Sequence, residues 1–134
     1  MPGETDLAAL LRDLKPMLAE EEHGFANIPI GAGWPQGLVP VATFAETEGA
    51  SVIALASILE GIGIDHERGW AKITIGANSA LSAVGLTAKI ASALAETGIS
   101  ANIVAAYHHD HVFVPWARRD DAMMVLENIS KVQE

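Results

Sequence analysis

The chain contains no cysteine among its 134 residues. Without a thiol there can be no disulfide framework, no cysteine-ligated metal or redox centre and no thiol nucleophile. Acidic residues, Glu4 and Asp6, stand near the N-terminus, where an export signal would carry basic residues before an apolar segment. These two observations make the cytoplasm the expected compartment.

Positive charge is also scarce, and so are long apolar segments. Eight lysines and arginines face 17 aspartates and glutamates, which gives a formal net charge of −9. Phosphate backbones and anionic lipid surfaces would repel such a chain on average. The most apolar segment, residues 50–64, is interrupted by Glu60 and two glycines and is too short to span a bilayer. We therefore expect neither a nucleic-acid partner nor a membrane partner.

The common catalytic and nucleotide-binding motifs are missing as well. The chain has no Gly-x-x-x-x-Gly-Lys phosphate loop, no Gly-x-Gly-x-x-Gly turn and no Gly-x-Ser-x-Gly nucleophile elbow. The acids at 20–22 are interpreted as a charged surface run and not as an acid–base pair. The sequence thus favours a protein that is not an enzyme and that needs no cofactor.

The first half of the chain combines one clear helix with shorter apolar segments. Leucines recur at helical spacing in residues 7–14, Thr5 can cap that helix, and Pro16 ends it. Gly49 lies between two β-rich segments, which predicts an antiparallel hairpin. The predicted elements are a helix over 7–14, a strand over 23–30, hairpin strands over 39–45 and 50–55, and a short helix over 56–62.

The second half predicts the element order β-α-β-β-α. The elements are a strand over 70–76, a helix over 86–96 followed by Gly98, strands over 99–107 and 111–114, and a helix that begins at Asp120 or Asp121. This is the ferredoxin-like arrangement without its last strand. Either another part of the chain or a second subunit supplies that strand, or the sheet keeps an exposed edge. We expect a supplied strand, because natural proteins usually cover such edges.

A polar segment, residues 65–69, is the best candidate boundary between two modules. It predicts an N-terminal module over residues 1–67 and a C-terminal module over residues 68–134. Each module alone is close to the lower size limit for independent stability. We expect the two modules to support each other, in an arrangement that leaves room for strands to be exchanged between them.

Three segments of the second half resemble bacterial tandem ACT-domain proteins: Ser-Ala-Leu-Ser-Ala-Val-Gly-Leu-Thr-Ala at 79–88, Glu-Thr-Gly-Ile-Ser-Ala-Asn-Ile-Val at 96–104, and Tyr-His-His-Asp-His-Val-Phe-Val-Pro at 107–115. The first half resembles the partner module, chiefly through Ala-Thr-Phe at 42–44. The resemblance implies an α+β fold of two ferredoxin-like (βαββαβ, ACT-type) modules, with antiparallel sheets and helices packed on one face. It also implies a regulatory or sensor protein that binds a small molecule, commonly an amino acid, and that forms a homodimer or a higher homo-oligomer.

In such domains the loop after the first strand and the start of the first helix commonly hold the ligand. Carried onto this sequence, the resemblance implies ligand contacts from Asn78, Ser79, Val84, Gly85, Leu86, Thr87, Ser100, Ala101 and Asn102. The residues themselves agree, since a helix N-terminus attracts a carboxylate, Gly85 allows close approach and Thr87 offers a hydroxyl. The alternative is a purely structural role, in which Gly85 permits tight helix packing and Thr87 faces solvent.

Two other functions compete with ligand sensing. A structural oligomerisation or protein-interaction domain would leave the loop at 78–85 empty. A metal-binding protein would use His108, His109 and His111, because neutral imidazoles suit zinc or nickel. Turn histidines beside an aspartate are more often structural, so we expect no metal and keep this cluster as the weaker alternative.

Overall fold

A computed structural model describes residues 3–132 and divides them into two compact units. Unit 1 contains residues 3–19 and 71–132, and unit 2 contains residues 20–70. The chain passes between the units within two strands, β1 (Pro16–Pro29) and β4 (Glu67–Ile75). The module division between residues 67 and 68 stays a prediction.

Unit 1 is a sheet covered by helices. Unit 1 contains the first residues of β1 and the last residues of β4. Its other elements are α1 (Leu7–Arg12), α3 (Leu86–Glu96), β5 (Asn102–Ala105), β6 (Asp110–Pro115), a 3₁₀ turn (Trp116–Arg118) and α4 (Arg119–Val132). The strands lie in the order β1-β4-β6-β5. Strands β5 and β6 pair antiparallel, with Asn102 opposite Phe113 and Ala105 opposite Asp110. This is the ferredoxin-like order, and the mixed α/β architecture that the sequence analysis expected is confirmed.

The strand that the second half lacks comes from the first residues of β1. Residues 16–19 lie next to β4 within unit 1. The backbone continues this pairing beyond the strands, where the Gly76 N–H donates to the Lys15 carbonyl at 2.9 Å and the Ala77 N–H donates to the Leu14 carbonyl at 3.1 Å. The β4 edge in unit 1 is therefore covered by a segment of this same chain.

Alternation in β4 and helical spacing in α3 and α4 build the core of unit 1. Ala71, Ile73 and Ile75 are fully buried, whereas the two residues between them are partly exposed. A strand with this period presents one face to the helices. The helices contribute buried side chains that are one turn apart to the same core: Leu86, Ile90 and Leu94 on α3, and Ala122, Leu126 and Ile129 on α4.

Helix α1 has only six residues, so packing must stabilise it, since isolated helices of this length are marginal in water. Its N-cap is Asp6, not the expected Thr5, and the Asp6 carboxylate accepts from the Ala8 N–H at 3.2 Å. Leu10 and Leu11 are buried in the core. At its end, the Ser130 hydroxyl of α4 donates to the Leu11 carbonyl at 2.9 Å.

Unit 2 has the strand order β2-β3-β1-β4. Its further elements are β2 (Ala42–Glu46), β3 (Gly49–Leu55) and α2 (Ala56–Gly61), and a long connection over 30–41 replaces a first helix. β3 pairs antiparallel with both β1 and β2. The core contains Ile28, Leu38, Val52, Ala54 and Leu59.

Two strands begin earlier in the chain than the sequence predicts. β1 begins at Pro16 and not at residue 23, and β4 begins at Glu67 and not at residue 70. A contact between the two strands explains both differences. The Glu22 carboxylate accepts from the Arg68 side chain at 2.8 Å and from the Gly69 N–H at 3.0 Å. The acids of residues 20–22 are thus part of a strand, with Glu22 engaged in the strand pair.

No helix in residues 3–132 has both the length and the apolar character that crossing a membrane requires.

The bond from Ser130 to Leu11 gives a test of how α1 is held. Replacing Ser130→Ala leaves the Leu11 carbonyl without this donor, and we expect a loss of about 1 kcal/mol in the free energy of unfolding. Ser92→Ala on α3 is the matched control, because Ser92 is an exposed helical serine and alanine is the better helix former. Urea denaturation measures both, and equal stability of the two variants would contradict this role of Ser130.

Candidate functional site

The loop between β4 and α3, residues 76–85, is held in place by the N-terminal segment of the chain. The Glu4 N–H donates to the Asn78 carbonyl at 2.9 Å, and the Ala80 N–H donates to the Glu4 carbonyl at 2.9 Å. Glu4 and Ser79 thereby form a parallel bridge. Gly3 lies so close to this loop that an added Cβ would come within 2.5 Å of the Asn78 carbonyl oxygen. The N-terminal segment therefore forms one wall of the region that the sequence analysis expected to bind a ligand.

Gly85 starts α3 in a backbone conformation that favours glycine. It is the N-cap, with φ 98° and ψ −16°, in the left-handed region that costs other residues about 1–2 kcal/mol. A Cβ at this position would lie 3.1 Å from Leu7 Cδ2, which is a tight contact. Gly85 thus allows the turn into the helix and the packing of Leu7, and it lines neither cavity near the helix start.

Because its N-cap has no side chain, α3 begins without a capping hydrogen bond. The first bond of the helix runs from the Lys89 N–H to the Gly85 carbonyl at 2.9 Å. Within residues 3–132, no protein acceptor outside the helix bonds the backbone N–H groups of Leu86, Thr87 and Ala88. Such groups carry the positive end of the helix dipole.

Two spaces adjoin this helix start. The smaller is a cavity of about 50 Å³, whose walls include Ser79, Leu86, Thr87 and Asp110. The larger is a groove of about 260 Å³, lined by Gly3, Asn78, Ala80, Leu81, Ser82, Tyr107 and His108. Ala80 and Leu81 line both spaces, so one short segment of the chain borders the cavity and the groove.

Asp110 places a carboxyl group in the small cavity. It is the first residue of β6 and is only 6% exposed. Burial raises the pKa of Asp110, and this effect is opposed by the neighbouring His111 and His109 and by a hydrogen bond with the Ser79 side chain. Ser79 is itself buried. The cavity is therefore lined by two residues whose backbone N–H groups have no acceptor within residues 3–132, Leu86 and Thr87, and by a residue with a buried carboxyl.

The three histidines near Asp110 have different surroundings. His108 is exposed and its ring lies 4.9 Å from the Tyr107 ring, whereas His109 Nδ1 is buried without a hydrogen-bond partner. His111 Nδ1 lies 3.0 Å from the Thr74 hydroxyl, and burial, aided by Lys72, lowers the pKa of His111. In the described part of the chain, no three histidine, aspartate or glutamate side chains are grouped to hold a metal ion.

The structure brings together only some of the residues that the resemblance implied. Ser79, Leu86 and Thr87 line the cavity, Asn78 lines the groove, and Val84 is 83% exposed beside them.

The remaining three candidates, Ser100, Ala101 and Asn102, line neither space. Asn102 is the first residue of β5, whereas Ala105 at the other end of β5 lines the cavity. Three residues of strand separate them by about 10 Å. Ser100 and Ala101 precede β5 and Asn102 begins it, so all three lie toward the end of β5 that is away from the cavity, and their ligand contacts stay a prediction.

The sequence analysis missed Asp110 and Tyr107 as site residues. Asp110 had been placed in a polar turn with two of the histidines, where carboxylates are usually solvated. The available signal was its position two residues before the apolar segment 112–114, because the first residue of a strand can still be buried by neighbouring segments.

Unit 2 carries a wider and shallower space of its own. This groove of about 640 Å³ is lined by Phe25, Ala26, Asn27, Ser51, Val52, Asp65, His66 and Glu67. His66 Nδ1 lies 2.7 Å from the Ile64 carbonyl oxygen, and its Nε2 is buried without a partner. The groove has exposed carboxylates at its rim and no helix start, so its chemistry differs from that of the cavity in unit 1.

Gly85→Ala tests the backbone at the start of α3. We expect a loss of about 1–2 kcal/mol in the free energy of unfolding, because alanine must adopt the left-handed conformation and its Cβ crowds Leu7. Gly61→Ala is the control, since Gly61 has no positive φ and open space around it, and no loss is expected there. A urea titration that gives both variants the same stability would contradict this account of Gly85.

Asp110→Asn tests the cost of burying the carboxyl. A raised folded-state pKa means that the contribution of Asp110 to stability is fully present below the unfolded value of 3.8 and is lost as the pH rises through the folded value. The asparagine variant cannot ionise, so we expect it to be more stable than the wild type at about pH 7, with an advantage that shrinks at about pH 4.5.

Urea denaturation at both pH values measures this difference. Glu127→Gln, which removes an exposed carboxylate from α4, is the control and should show little pH-dependent change. A wild type that exceeds Asp110→Asn in stability at neutral pH would show that the ionised carboxylate is net stabilising.

Comparison with known proteins identifies the family. Models of the ACT domain match residues 2–68 and residues 65–128. A protein of unknown function from Vibrio cholerae, described as a possible transport protein, is 34% identical, with a TM-score of 0.82 over 92% of this chain and 95% of that chain. No curated protein sequence matches the chain.

Two more distant structures share the fold. A protein from Agobacterium tumefaciens is 18% identical, with a TM-score of 0.73 over 87% of this chain and 89% of its own. The regulatory subunit of aspartate kinase from Thermus thermophilus, in its ligand-free form, is 16% identical, with a TM-score of 0.58 over 87% and 98%. ACT domains are typically regulatory ligand-binding domains. The two matching models and the relative at 34% identity show that this chain belongs to the ACT-domain family.

Proposed function

We propose that the protein is a non-catalytic regulatory protein that senses an amino acid, and that the amino acid binds in unit 1 at the start of α3. The observation that carries this proposal is the set of unbonded backbone N–H groups at Leu86 and Thr87, the two helix residues that line the 50 Å³ cavity. Ligand binding is the typical role of the family, and this place in the chain supplies the chemistry that an amino acid needs.

The carboxylate of the ligand is the group that the helix start recognises. Backbone N–H groups at a helix N-terminus bind anions through hydrogen bonds and through the helix dipole, and they need no arginine. Among the described residues, no lysine or arginine lines the cavity or the groove, and Lys89, one turn further along α3, is exposed. The protein therefore recognises the carboxylate with its backbone.

The groove beside the cavity accepts the rest of the ligand. Its volume of about 260 Å³ suits a small metabolite and lies just under the range typical of larger ligand pockets, about 300–1,000 Å³. Leu81 and Tyr107 provide apolar surface there, and both are largely exposed in the absence of a ligand. A ligand that extends from the cavity into the groove would cover part of the Leu81 and Tyr107 side chains.

A second candidate function, assembly without a ligand, is favoured by an apolar surface on unit 2. Ile30 is 75% exposed and Phe44 is 73% exposed. Phe44 lies on β2, which is an edge strand within the unit 2 strand order. Exposed edges and apolar groups of this kind are often covered by another chain. We propose that the protein forms a homodimer or a higher homo-oligomer and that it acts in the cytoplasm.

Thermal denaturation in the presence of each of the twenty amino acids tests the sensing function. A ligand at a hundredfold excess over its Kd stabilises the folded state by about 2.7 kcal/mol, which raises the Tm of a domain of this size by roughly 5–10 °C. Ser82→Trp, which fills the groove, should abolish the shift. Ser92→Trp, at an exposed position of α3, should preserve it.

Each alternative outcome has a distinct meaning. Unchanged melting curves for all twenty amino acids, together with a molecular mass that rises with protein concentration, would favour assembly without a ligand. A shift that Ser82→Trp does not affect would contradict the proposed position of the site.

A further inference from the structure

The buried carboxyl of Asp110 has no positively charged partner. Asp110 is more than nine-tenths buried at the start of β6 and lines the same 50 Å³ cavity as Leu86 and Thr87. The ion pairs of residues 3–132 involve other carboxylates: Asp13, Glu22, Glu60 and Asp121. A buried carboxylate is costly unless it is paired or hydrogen-bonded. Its hydrogen-bond partner here is the Ser79 side chain, which is neutral.

Neither neighbouring histidine forms a salt bridge or a hydrogen bond with Asp110. His111 Nδ1 lies 3.0 Å from the Thr74 hydroxyl, and burial together with Lys72 lowers the pKa of His111, which favours the neutral form of its ring. His109 lies close enough to lower the pKa of Asp110 electrostatically, and its Nδ1 is buried without a hydrogen-bond partner. No lysine or arginine lines the cavity. The place for a positive group next to Asp110 is therefore open to a ligand.

We propose that Asp110 binds the α-ammonium group of the ligand, so that the site selects molecules that carry an ammonium and a carboxylate on the same carbon. The inference rests on the proposed function and adds to it the residue that recognises the ammonium, the group that simple carboxylates, phosphates and amides lack. Asp110 is then a specificity-determining residue of this site.

The geometry of the cavity supports this assignment. A space of about 50 Å³ accommodates one or two small polar groups and not a whole amino acid. The two charged groups of an α-amino acid are separated by a single carbon, so both fit at the walls of such a space. Leu86 and Thr87, whose N–H groups have no acceptor in the described part of the chain, line this space together with Asp110, so the ligand carboxylate belongs at the start of α3 and the ammonium at Asp110, because the reverse placement would bring like charges together.

The cavity also discriminates against ligands of the wrong charge. An anion without an ammonium would meet the α3 N–H groups favourably but would lie beside the Asp110 carboxylate, which repels it. A cation without a carboxylate would be attracted by Asp110 and repelled by the helix dipole. Ligands with both charges gain both interactions, and a charge-assisted hydrogen bond to a carboxylate contributes about 1.5–3 kcal/mol in typical proteins, or roughly a tenfold to hundredfold change in affinity.

The test is a calorimetric titration of the full chain with each of the twenty L-amino acids and with the matching carboxylic acid that lacks the α-amine. We expect at least one amino acid to bind and its desamino partner to bind roughly tenfold to a hundredfold more weakly. Asp110→Asn should weaken the binding of that amino acid by a similar factor and should strengthen the weak binding of the desamino acid, because the variant removes the carboxylate that repels it. Glu127→Gln, which removes an exposed carboxylate, should change neither affinity.

The outcomes separate the inference from the function on which it rests. If an amino acid and its desamino partner bind equally well, the role of Asp110 is wrong while amino-acid sensing stands. If none of the twenty amino acids binds, the proposed function fails, and the role of Asp110 fails with it. Should Asp110→Asn not fold, the wild-type comparison of amine and desamino probes decides alone, because it needs no variant.

Discussion

The candidate site depends on one backbone constraint, the left-handed conformation of Gly85 at the start of α3. A serine, threonine or aspartate at this N-cap would satisfy the first N–H groups of the helix with its own side chain. Glycine cannot, and the positive φ disfavours the residues that could. The helix therefore begins with N–H groups that are available to a ligand, and Leu7 lies in tight contact with the place that a Cβ of residue 85 would take.

The burial of Asp110 is the electrostatic counterpart of this helix start. The carboxyl costs stability while it lacks a cation, and the raised pKa of Asp110 expresses that cost. Binding sites commonly contain ionisable groups with shifted pKa values, and such groups lower the stability of the folded protein. In this protein the cost would be recovered when an ammonium group arrives, which couples occupancy of the cavity to the stability of unit 1. Such coupling is what a sensor requires, because a ligand acts by shifting a folded-state equilibrium.

The parts of the fold that follow from local periodicity were predictable from the sequence. Helix α3 has the predicted ends because its apolar residues recur at helical spacing, and Gly98 follows it in a left-handed conformation. The end of β4 was predictable because Ala71, Ile73 and Ile75 alternate with polar residues. The start of β1 was not, because consecutive acids hide the strand period and Glu22 finds its partners only in β4.

Only one part of the candidate site was predictable from the sequence. The loop at 78–87 could be located, since a resemblance and a glycine before a helix both indicate it. The burial of Asp110 could not, because Ser79, the α3 start and Ala105 surround it from three separate segments. Leu7 covering Gly85 is likewise a contact between distant residues. Contacts of this kind depend on the tertiary structure and leave no local pattern in the sequence.

Backbone amide spectra of the ¹⁵N-labelled protein, recorded with and without each amino acid, test the location of the site most directly. The account predicts that an amino acid which binds shifts the N–H signals of Leu86, Thr87 and Asp110 more than any others. Shifts confined to the groove of unit 2, at Asn27 and Asp65, with the start of α3 unchanged, would contradict it.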